Sequence, residues 1–319
     1  MSRHVISKYT LVSDNVVFFR YCVRMSRYEG FRIVALRPGQ VCRLSRHWGQ
    51  VFVPKAGWVR FRWSRAVPPA KSFRVTLDRA GRWHIALTAV PAPIDGPGTG
   101  EAVGVDRGVV VSAALSTGEM LVCPRLSAAR QRRLKRLQRK LARARRGSNR
   151  RTQVRSAVAR LRAREADARR DWAEKLSTDL ARRFDVICVE DLRVRSMTRS
   201  AKGTVAEAGR SVRAKAGLNR EILASGWGIL VERLEQKAPG RVKKNSPAFT
   251  SQRCSACGIV RSENRKSQAV FACTACGFTC NADVNAARNI AAGHAVTARG
   301  GPPLGGPVNR EPQLAVLPV

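Results

Sequence analysis

The chain has 319 residues, which is long enough for two or three units that each bury a core. It carries 60 lysines and arginines against 22 acids, a net charge of +38 that exceeds what solubility needs. Such an excess predicts a polyanionic partner, with nucleic acid first and a membrane surface second. No run approaches the roughly 20 apolar residues of a membrane span, and the first residues lack a signal peptide's apolar core. We therefore expect an intracellular protein without a membrane partner.

Short runs of β-branched and aromatic residues alternate with turn signals between residues 51 and 93. This pattern predicts a small antiparallel β-barrel. Residues 1–50 show no sustained helical period, and the Pro- and Gly-rich stretch 91–98 predicts a domain boundary. Three arginines of the barrel are candidates for phosphate contacts, with a solvated strand face equally open: Arg60, Arg62 and Arg65.

A strongly basic stretch follows, with 19 lysines and arginines against 2 acids between Arg125 and Arg170. Leucines and valines recur there at helical spacing on both sides of a break at 147–149, which predicts two amphipathic helices forming a basic hairpin over 127–170. Because acids are too few to pair with these cations, we expect contacts with nucleic-acid phosphates. The candidate nucleic-acid-binding residues are Arg132, Arg133, Arg136, Arg139, Lys140, Arg143, Arg150, Arg151 and Arg155.

Three acids occupy positions that a fold could bring together. Asp106 ends the first strand of a predicted three-stranded meander, Glu190 ends a short buried strand, and Asp283 begins a helix. This order predicts an α/β, ribonuclease-H-like core with a mixed sheet flanked by helices. Three converging carboxylates repel one another unless hard cations neutralise them. Two Mg²⁺ ions about 4 Å apart would do so, and would activate a water for cleavage of a phosphodiester.

Each acid also has a plainer interpretation. Asp106 could be an ordinary turn residue, Glu190 a helix cap, and Asp283 only the N-cap of the helix that follows it. Asp191 competes with Glu190 for the same role, but neighbouring residues of a strand face opposite sides of a sheet. Only one of the two can join the other acids, and we expect it to be Glu190.

Four of the nine cysteines have the spacing of a tetrahedral zinc site. They form two Cys-x-x-Cys pairs separated by fifteen residues: Cys254, Cys257, Cys273 and Cys276. An odd number of cysteines in a long chain without a signal peptide argues against a disulfide framework. Cys188 lies in an apolar run and is expected to be a buried thiol, and Cys280 is left out because four ligands close a structural zinc site.

Together these motifs resemble the TnpB (OrfB) family of insertion-sequence proteins, which is related to the compact type V CRISPR effectors. The motifs that carry the resemblance span residues 103–108, 189–192, 250–258, 271–277 and 282–290. Members are RNA-guided DNA endonucleases whose RuvC nuclease core is interrupted by a zinc-bearing insert. The resemblance implies that Asp106, Glu190 and Asp283 are catalytic Mg²⁺ ligands. It also implies a guide RNA, a double-stranded DNA target and a prokaryotic, cytoplasmic and nucleoid-associated location.

The resemblance also implies a domain layout. A divergent or truncated N-terminal segment (1–50) precedes a wedge-like β-barrel that grips RNA (51–93) and a RuvC-like core (99–240). A zinc-ribbon insert that binds the target nucleic acid (241–280), the last RuvC segment (281–293) and a disordered tail (294–319) follow. Within the core, the basic stretch 193–216 is expected to be a mobile loop. Family members usually carry a longer helical recognition domain before the barrel, which leaves a nuclease-impaired binder of RNA and DNA as one alternative. A transposase is a second alternative, because the acids alone do not exclude a carboxylate-triad transposase.

Overall fold

The computed structural model describes residues 5–10, 31–33, 38–54, 56–63, 70, 72–89, 92–204 and 207–299. Two compact units divide the chain. The first combines residues 1–92 with 126–166, and the second combines residues 93–125 with 167–319. Within the described ranges, no helix is both long enough and apolar enough to cross a membrane.

Seven strands of the first unit form two antiparallel sheets that share one hydrophobic core. In spatial order, the first sheet contains β1 (Val5–Thr10), β7 (Trp83–Ala89), β6 (Ser72–Leu77) and β2 (Phe31–Ile33). The second contains β3 (Val41–Arg43), β4 (Trp48–Val53) and β5 (Gly57–Arg62). Alternate residues of the strands are fully buried between the sheets, among them Val51, Val59, Phe61, Phe73, Ile85 and Leu87.

The strands predicted between residues 51 and 93 are confirmed as β4 to β7, but they are only part of this unit. β1, β2 and β3 lie within residues 1–50, and the boundary predicted at 50/51 falls inside β4. In the described residues, the hydrogen-bonded pairs form two sheets rather than one closed barrel. β1 pairs with β7, β2 with β6 and β3 with β4. Because these partner strands lie mostly outside residues 1–50, the sequence pattern of that segment alone does not reveal its strands. Residues 1–4, 11–30 and 34–37 of this segment lie outside the described residues.

The predicted basic hairpin is present as α1 (Ala128–Arg143) and the first part of α2 (Asn149–Arg183). The chain reverses at Gly147, whose φ of +79° favours a residue without a side chain. A narrow apolar seam joins the helices, made by Leu126, Leu134, Leu137, Val158 and Leu161. The seam uses four of the leucines and valines whose spacing predicted it, and charged side chains cover the remaining helix surface.

The second unit is built on a mixed five-stranded sheet. In chain order its strands are β8 (Ala102–Asp106), β9 (Ala113–Leu115), β10 (Met120–Leu121), β11 (Val186–Glu190) and β12 (Val242–Asn245). β8, β9 and β10 form the predicted antiparallel meander, and β11 runs parallel to both β8 and β12. The sheet order is β10-β9-β8-β11-β12, so the two longest strands, β8 and β11, are neighbours in its interior.

Helices cover both faces of this sheet. On one face, α2 and α5 (Trp227–Lys237) bury their leucines against the valines and isoleucine of β8 and β11. On the other face lies α6 (Ala282–Arg299), which approaches β8 closely at Gly104. A Cβ atom added to Gly104 would fall 1.9 Å from the carbonyl oxygen of Ala287. Glycine is therefore required at this contact between helix and strand.

Three predictions for the second unit need correction. The apolar residues between Leu218 and Leu234 predict a single helix, but the structure has two, α4 (Val212–Ala224) and α5, because Gly226 at φ +77° breaks the helical path. The loop expected at 193–216 contains α3 (Val194–Met197) and the start of α4. Finally, α6 extends six residues into the predicted tail 294–319, and residues from 300 on lie outside the described part of the chain.

Candidate active site and four-cysteine cluster

Strand alternation turns two of the three predicted acids toward α6. Val105 of β8 and Val189 of β11 are buried in the core shared with α2 and α5. Because successive strand residues point to opposite faces, Asp106 and Glu190 project from the other face. Asp283 lies in the first turn of α6, on that same side of the sheet. The structure thus brings the three acids together, although they are 84 and 93 positions apart in sequence.

The electrostatic environment of Asp106 reflects this convergence. Burial, together with the negative charges of Glu190 and Asp283, raises the pKa of Asp106 from 3.8 to about 7. Burial also raises the pKa of Glu190, against the opposing effect of a hydrogen bond from Thr250. The uncharged form of Asp106 is therefore favoured relative to an exposed aspartate, because the site holds more negative charge than its surroundings neutralise. The site therefore favours binding of positive charge.

Glu190 is held in place by two neighbours. The hydroxyl of Thr250 donates to Oε1 of Glu190 at 2.8 Å, and Nη2 of Arg107 donates to the backbone oxygen of Glu190. Arg107 is only 6% exposed, so a buried positive charge links the ends of β8 and β11. In the described part of the chain its Nε has no hydrogen-bond partner. Asp191 is exposed, which supports the preference for Glu190 as the inward acid.

The N-cap of α6 is Asn281, not Asp283. The Asn281 side-chain oxygen accepts hydrogen bonds from the backbone N–H groups of Asp283 and Val284, at 2.9 and 3.3 Å. The interpretation of Asp283 as a mere cap is therefore wrong. Its carboxylate instead pairs with Arg265, whose Nη2 lies 3.3 Å from Oδ1 of Asp283.

Arg107 and Arg265 are the site residues that the sequence did not indicate. Arg265 reaches the acids from the loop between the two cysteine pairs, and its positive charge opposes the rise in the pKa of Asp106. Nothing in its spacing separates it from the many other basic residues of the chain. Arg107 stands next to Asp106, and a charge inside a buried strand-to-turn segment is the signal that could have marked it.

The four predicted zinc cysteines form one cluster. Their sulfur atoms all lie within 4.8 Å of one another, with 3.7 Å between Cys254 and Cys276 and 3.6 Å between Cys257 and Cys273. Four sulfurs bonded at about 2.3 Å to a tetrahedral zinc ion would lie about 3.8 Å apart, so the cluster has the right size. Within the described ranges, no other group of three or more His, Cys, Asp or Glu residues is this tight. The oxygen atoms of the three acids do not form a group this tight.

The cysteine thiols differ in their burial and in their hydrogen bonds. Burial works against ionisation of Cys273, but backbone N–H groups of Cys276 and Ala275 lower its pKa to about 7. Burial raises the pKa values of Cys254 and Cys257, so one thiol of the cluster ionises before these two. A thiolate is the form that binds a metal. Cys280 is half-buried on β14 (Thr279–Asn281), which pairs with β13 (Val270–Ala272), and it is outside the cluster. Cys188 is fully buried as predicted, and burial raises its pKa to about 12.

The basic hairpin presents most of its predicted contact residues to solvent. Eight of the nine are exposed, and in the described part of the chain none of these eight has an acid within 4.0 Å. Arg151 is the exception. It is half-buried, and its Nη1 donates to the backbone oxygens of Leu141 and Ala144 at 2.7 and 2.9 Å. Arg151 therefore closes the C-terminal end of α1 rather than offering a free charge.

A second basic surface lies on the outer face of β4 and β5. Trp58 is 46% exposed, packs edge-on against Phe52 at 5.6 Å between ring centroids, and shares its strand face with Arg60 and Arg62. The aromatic pair was missed, although its signal was present, because residues at i, i+2 and i+4 of a strand share one face. Arg65 lies outside the described residues. Exposed aromatic rings beside arginines can stack unpaired bases.

Two family models match the chain: OrfB_IS605, described as "Probable transposase", over residues 85–201, and the Cas12f1-like TNB domain over residues 227–290. The chain is also 40% identical over 273 residues to "Putative RNA-guided DNA endonuclease InsQ" of Escherichia coli (strain K12). That match covers 83% of this chain and 67% of the relative. The chain belongs to the OrfB (TnpB) family.

A second relative of this OrfB-family chain is a "Putative RNA-guided DNA endonuclease" of Streptomyces pristinaespiralis, 36% identical over 249 residues. The match covers 75% of this chain and 58% of the relative, so the chain spans roughly two thirds or less of these proteins. Among solved structures, a protein chain in the "Cryo-EM structure of the Cas12f1-sgRNA-target DNA complex" has a similar fold. Its TM-score is 0.51 at 15% identity, with 82% of this chain and 64% of that chain covered.

Proposed function

We propose that the chain is an RNA-guided, Mg²⁺-dependent DNA endonuclease with a RuvC-like core. The observation that carries this proposal is the convergence of Asp106, Glu190 and Asp283 from two strands and a helix. The names of the two bacterial relatives support guided cutting of DNA. Two Mg²⁺ ions bound by these oxygen ligands would activate a water and stabilise the leaving oxygen of a phosphodiester.

The residues of the site would each have a distinct part in this chemistry. Asp106 would give up its proton when it becomes a ligand, since the proton and a cation compete for the same oxygens. Thr250 and Arg107 would hold Glu190 in position. Arg265 partly neutralises the acids in the metal-free protein, and cations at the acids would repel it. Its guanidinium would then be free beside the site to bind a phosphate oxygen of the substrate.

The test of this function is cleavage by the chain with its own RNA. The protein is co-expressed with the DNA that flanks its gene, purified, and the retained RNA is sequenced. A DNA duplex matching that RNA is then incubated with the complex in Mg²⁺. We expect cutting that Asp106→Ala abolishes, whereas the exposed neighbour variant Asp191→Ala cuts like the unmodified protein. If the protein retains RNA but does not cut the DNA in Mg²⁺, the nuclease proposal is overturned, and a nuclease-impaired binder of RNA and DNA remains.

We also propose that the four cysteines hold a structural zinc ion within the ribbon 241–280. The purified chain is expected to contain about one zinc per molecule by mass spectrometry of its metals. Cys273→Ser removes one ligand and should cut the zinc content severalfold. Cys280→Ser is the matched control, because this thiol is nearby but outside the cluster, and it should retain the ion. A zinc-to-protein ratio near zero in the unmodified chain would refute the site.

The exposed arginines of the hairpin are proposed to bind the phosphates of the guide RNA or of its duplex with DNA. Replacing Arg132, Arg136 and Arg139 by glutamine should weaken RNA binding and flatten its salt dependence. The slope of log K against log salt should fall by about 0.7 to 0.9 per lost phosphate contact. Arg151→Gln is the control, since it should lower thermal stability and leave the slope unchanged. Filter binding between low and high salt measures both.

The outer face of β4 and β5 is proposed to stack an unpaired base of the RNA on Trp58. Trp58→Ala should weaken binding of RNA with single-stranded segments by about 1 to 3 kcal/mol, whereas Trp58→Phe keeps most of the affinity because it keeps a ring. Fully paired RNA should bind Trp58→Ala and Trp58→Phe as tightly as it binds the unmodified protein. An equal loss on paired and unpaired RNA would contradict stacking and indicate a general loss of fold.

A further inference from the structure

One side chain of α6 holds the backbone on both sides of the first zinc cysteine. Asn285 is fully buried, and its Oδ1 accepts a hydrogen bond from the backbone N–H of Ser255 at 3.0 Å. Its Nδ2 donates to the backbone oxygen of Arg253 at 2.7 Å. Cys254 stands between these two peptide groups. The position of this cysteine is therefore set directly by the helix that carries Asp283.

A second asparagine, one helical turn further on, holds the same loop at an earlier point. Nδ2 of Asn289 donates to the backbone oxygens of Thr250 and Arg253, at 2.9 and 2.7 Å. The hydroxyl of Thr250 in turn donates to the Glu190 carboxylate at 2.8 Å. The loop that leads into Cys254 is thus also the loop that positions Glu190.

The loop 249–255 needs these external contacts. It begins at Phe249, a non-glycine residue in the left-handed region at φ +59°, and turns tightly as Gln252 and Arg253 donate to the Phe249 oxygen. A left-handed backbone at a bulky residue persists only when the surroundings impose it. Hydrogen bonds with Asn285 and Asn289 stabilise this loop conformation on the side of α6. A metal bound to Cys254 would stabilise it at the other end of the loop.

We propose that Asn285 and Asn289 are positioning residues that couple the four-cysteine site to the carboxylate site. A zinc ion at Cys254 fixes the loop, the loop fixes Glu190 through Thr250, and the two amides fix the loop to the helix of Asp283. The inference rests on the proposed function, because it takes the three acids to be ligands of divalent ions. The ribbon is then part of the cutting site as well as a module for binding nucleic acid.

Coupling of this kind is reciprocal. If zinc at the cysteines tightens binding of a divalent ion at the acids, that ion must tighten zinc by the same factor. A loop that merely connects two independently folded sites would give a factor of one. Removal of the two asparagines should bring the factor close to one while each site keeps its own ligands.

The test measures Mn²⁺ affinity at the acids by electron paramagnetic resonance, on the full chain with and without zinc. In the unmodified protein we expect zinc removal to weaken Mn²⁺ binding tenfold or more. Asn285→Ala combined with Asn289→Ala should weaken Mn²⁺ binding to a similar extent with zinc still present. Removal of zinc from this double variant should then change the affinity less than threefold.

Two further variants separate positioning from a loss of fold. Asn219→Ala is the matched control, since the Asn219 amide also donates to two loop carbonyls, but those of Thr198 and Arg199 instead of the loop 249–255. It should keep the unmodified Mn²⁺ affinity. Asn289→Ala alone leaves the bond to Ser255 intact, so it should retain zinc and still weaken Mn²⁺ binding. This milder variant decides the question if the double variant does not fold.

Each other outcome has a definite meaning. The coupling role is overturned if Asn289→Ala binds Mn²⁺ like the unmodified protein, or if the double variant responds to zinc removal as strongly as the unmodified protein. If Asp106→Asn and the unmodified protein bind Mn²⁺ equally, the carboxylate metal site itself is refuted, and the coupling with it. Failure of the coupling alone leaves the difference between Asp106→Asn and the unmodified protein intact.

Discussion

Replacing Gly104 by alanine is expected to reduce DNA cutting at least a hundredfold. The new Cβ would lie 1.9 Å from the Ala287 oxygen and 2.7 Å from the Ala291 nitrogen, both in the backbone of α6. The helix must therefore move away from β8, and Asp283 moves with it. Overpacking of this kind costs about 1 to 3 kcal/mol of stability. A displacement of about 1 Å at reacting groups can cost 10²-fold in rate.

Cleavage rates and thermal unfolding of the Gly104→Ala protein test this expectation. Gly228→Ala in α5 is the matched control, because an added Cβ there meets nothing within 4 Å. It should change stability by no more than about 0.5 kcal/mol, because Gly228 is an exposed residue in the first turn of α5, and leave cutting unchanged. Normal cutting by the Gly104 variant would show that the helix is not held against the strand as the structure places it.

Asp106→Asn is expected to stabilise the protein at pH 8 in the absence of magnesium. The pKa of Asp106 is raised from 3.8 to about 7, so between these values the native state keeps a proton that the unfolded chain has released. Stability of the unmodified protein therefore falls as pH rises through this window, by up to about 4 kcal/mol in total. Asparagine has no proton to lose, so the advantage of the variant should shrink as pH falls and vanish near pH 4.

With magnesium at pH 8, the unmodified protein should become more stable than the Asp106→Asn variant. The unmodified protein gains stability from an ion that binds only its native state, whereas the variant lacks one of the ligands. Urea unfolding of both proteins at several pH values, with and without magnesium, measures both effects. Parallel pH profiles for the two proteins would contradict the raised pKa, and an equal response to magnesium would contradict the role of Asp106 as a ligand.

The residues that bear the proposed chemistry could be found in the sequence because their chemistry requires particular types at particular places. Four cysteines in two close pairs have few other uses, and Asp106 and Glu190 end apolar strands, where a carboxylate is out of place. Strand alternation then separated Glu190 from Asp191 without a structure. The positions of α1 and α2 followed from an apolar seam that stands out among so many charges.

The supporting residues could not be found in this way. Arg265 acts from a loop whose path depends on the whole ribbon, and Asn285 and Asn289 read as ordinary helix residues until the loop they hold is seen. β1 to β3 are short and gain their regularity from partners far along the chain. The break at Gly226 was missed because the apolar period on its two sides remains in phase. Each of these depends on contacts distant in sequence, which local patterns do not carry.

The order of the acids along the chain has a consequence during synthesis. β8 emerges from the ribosome first, β11 follows it, and α6 emerges last of the three. The basic hairpin and the β-sheets of the first unit are complete before Asp283 exists. If the hairpin binds RNA as proposed, a nascent chain would be able to bind its guide before the three acids of the cutting site are all present.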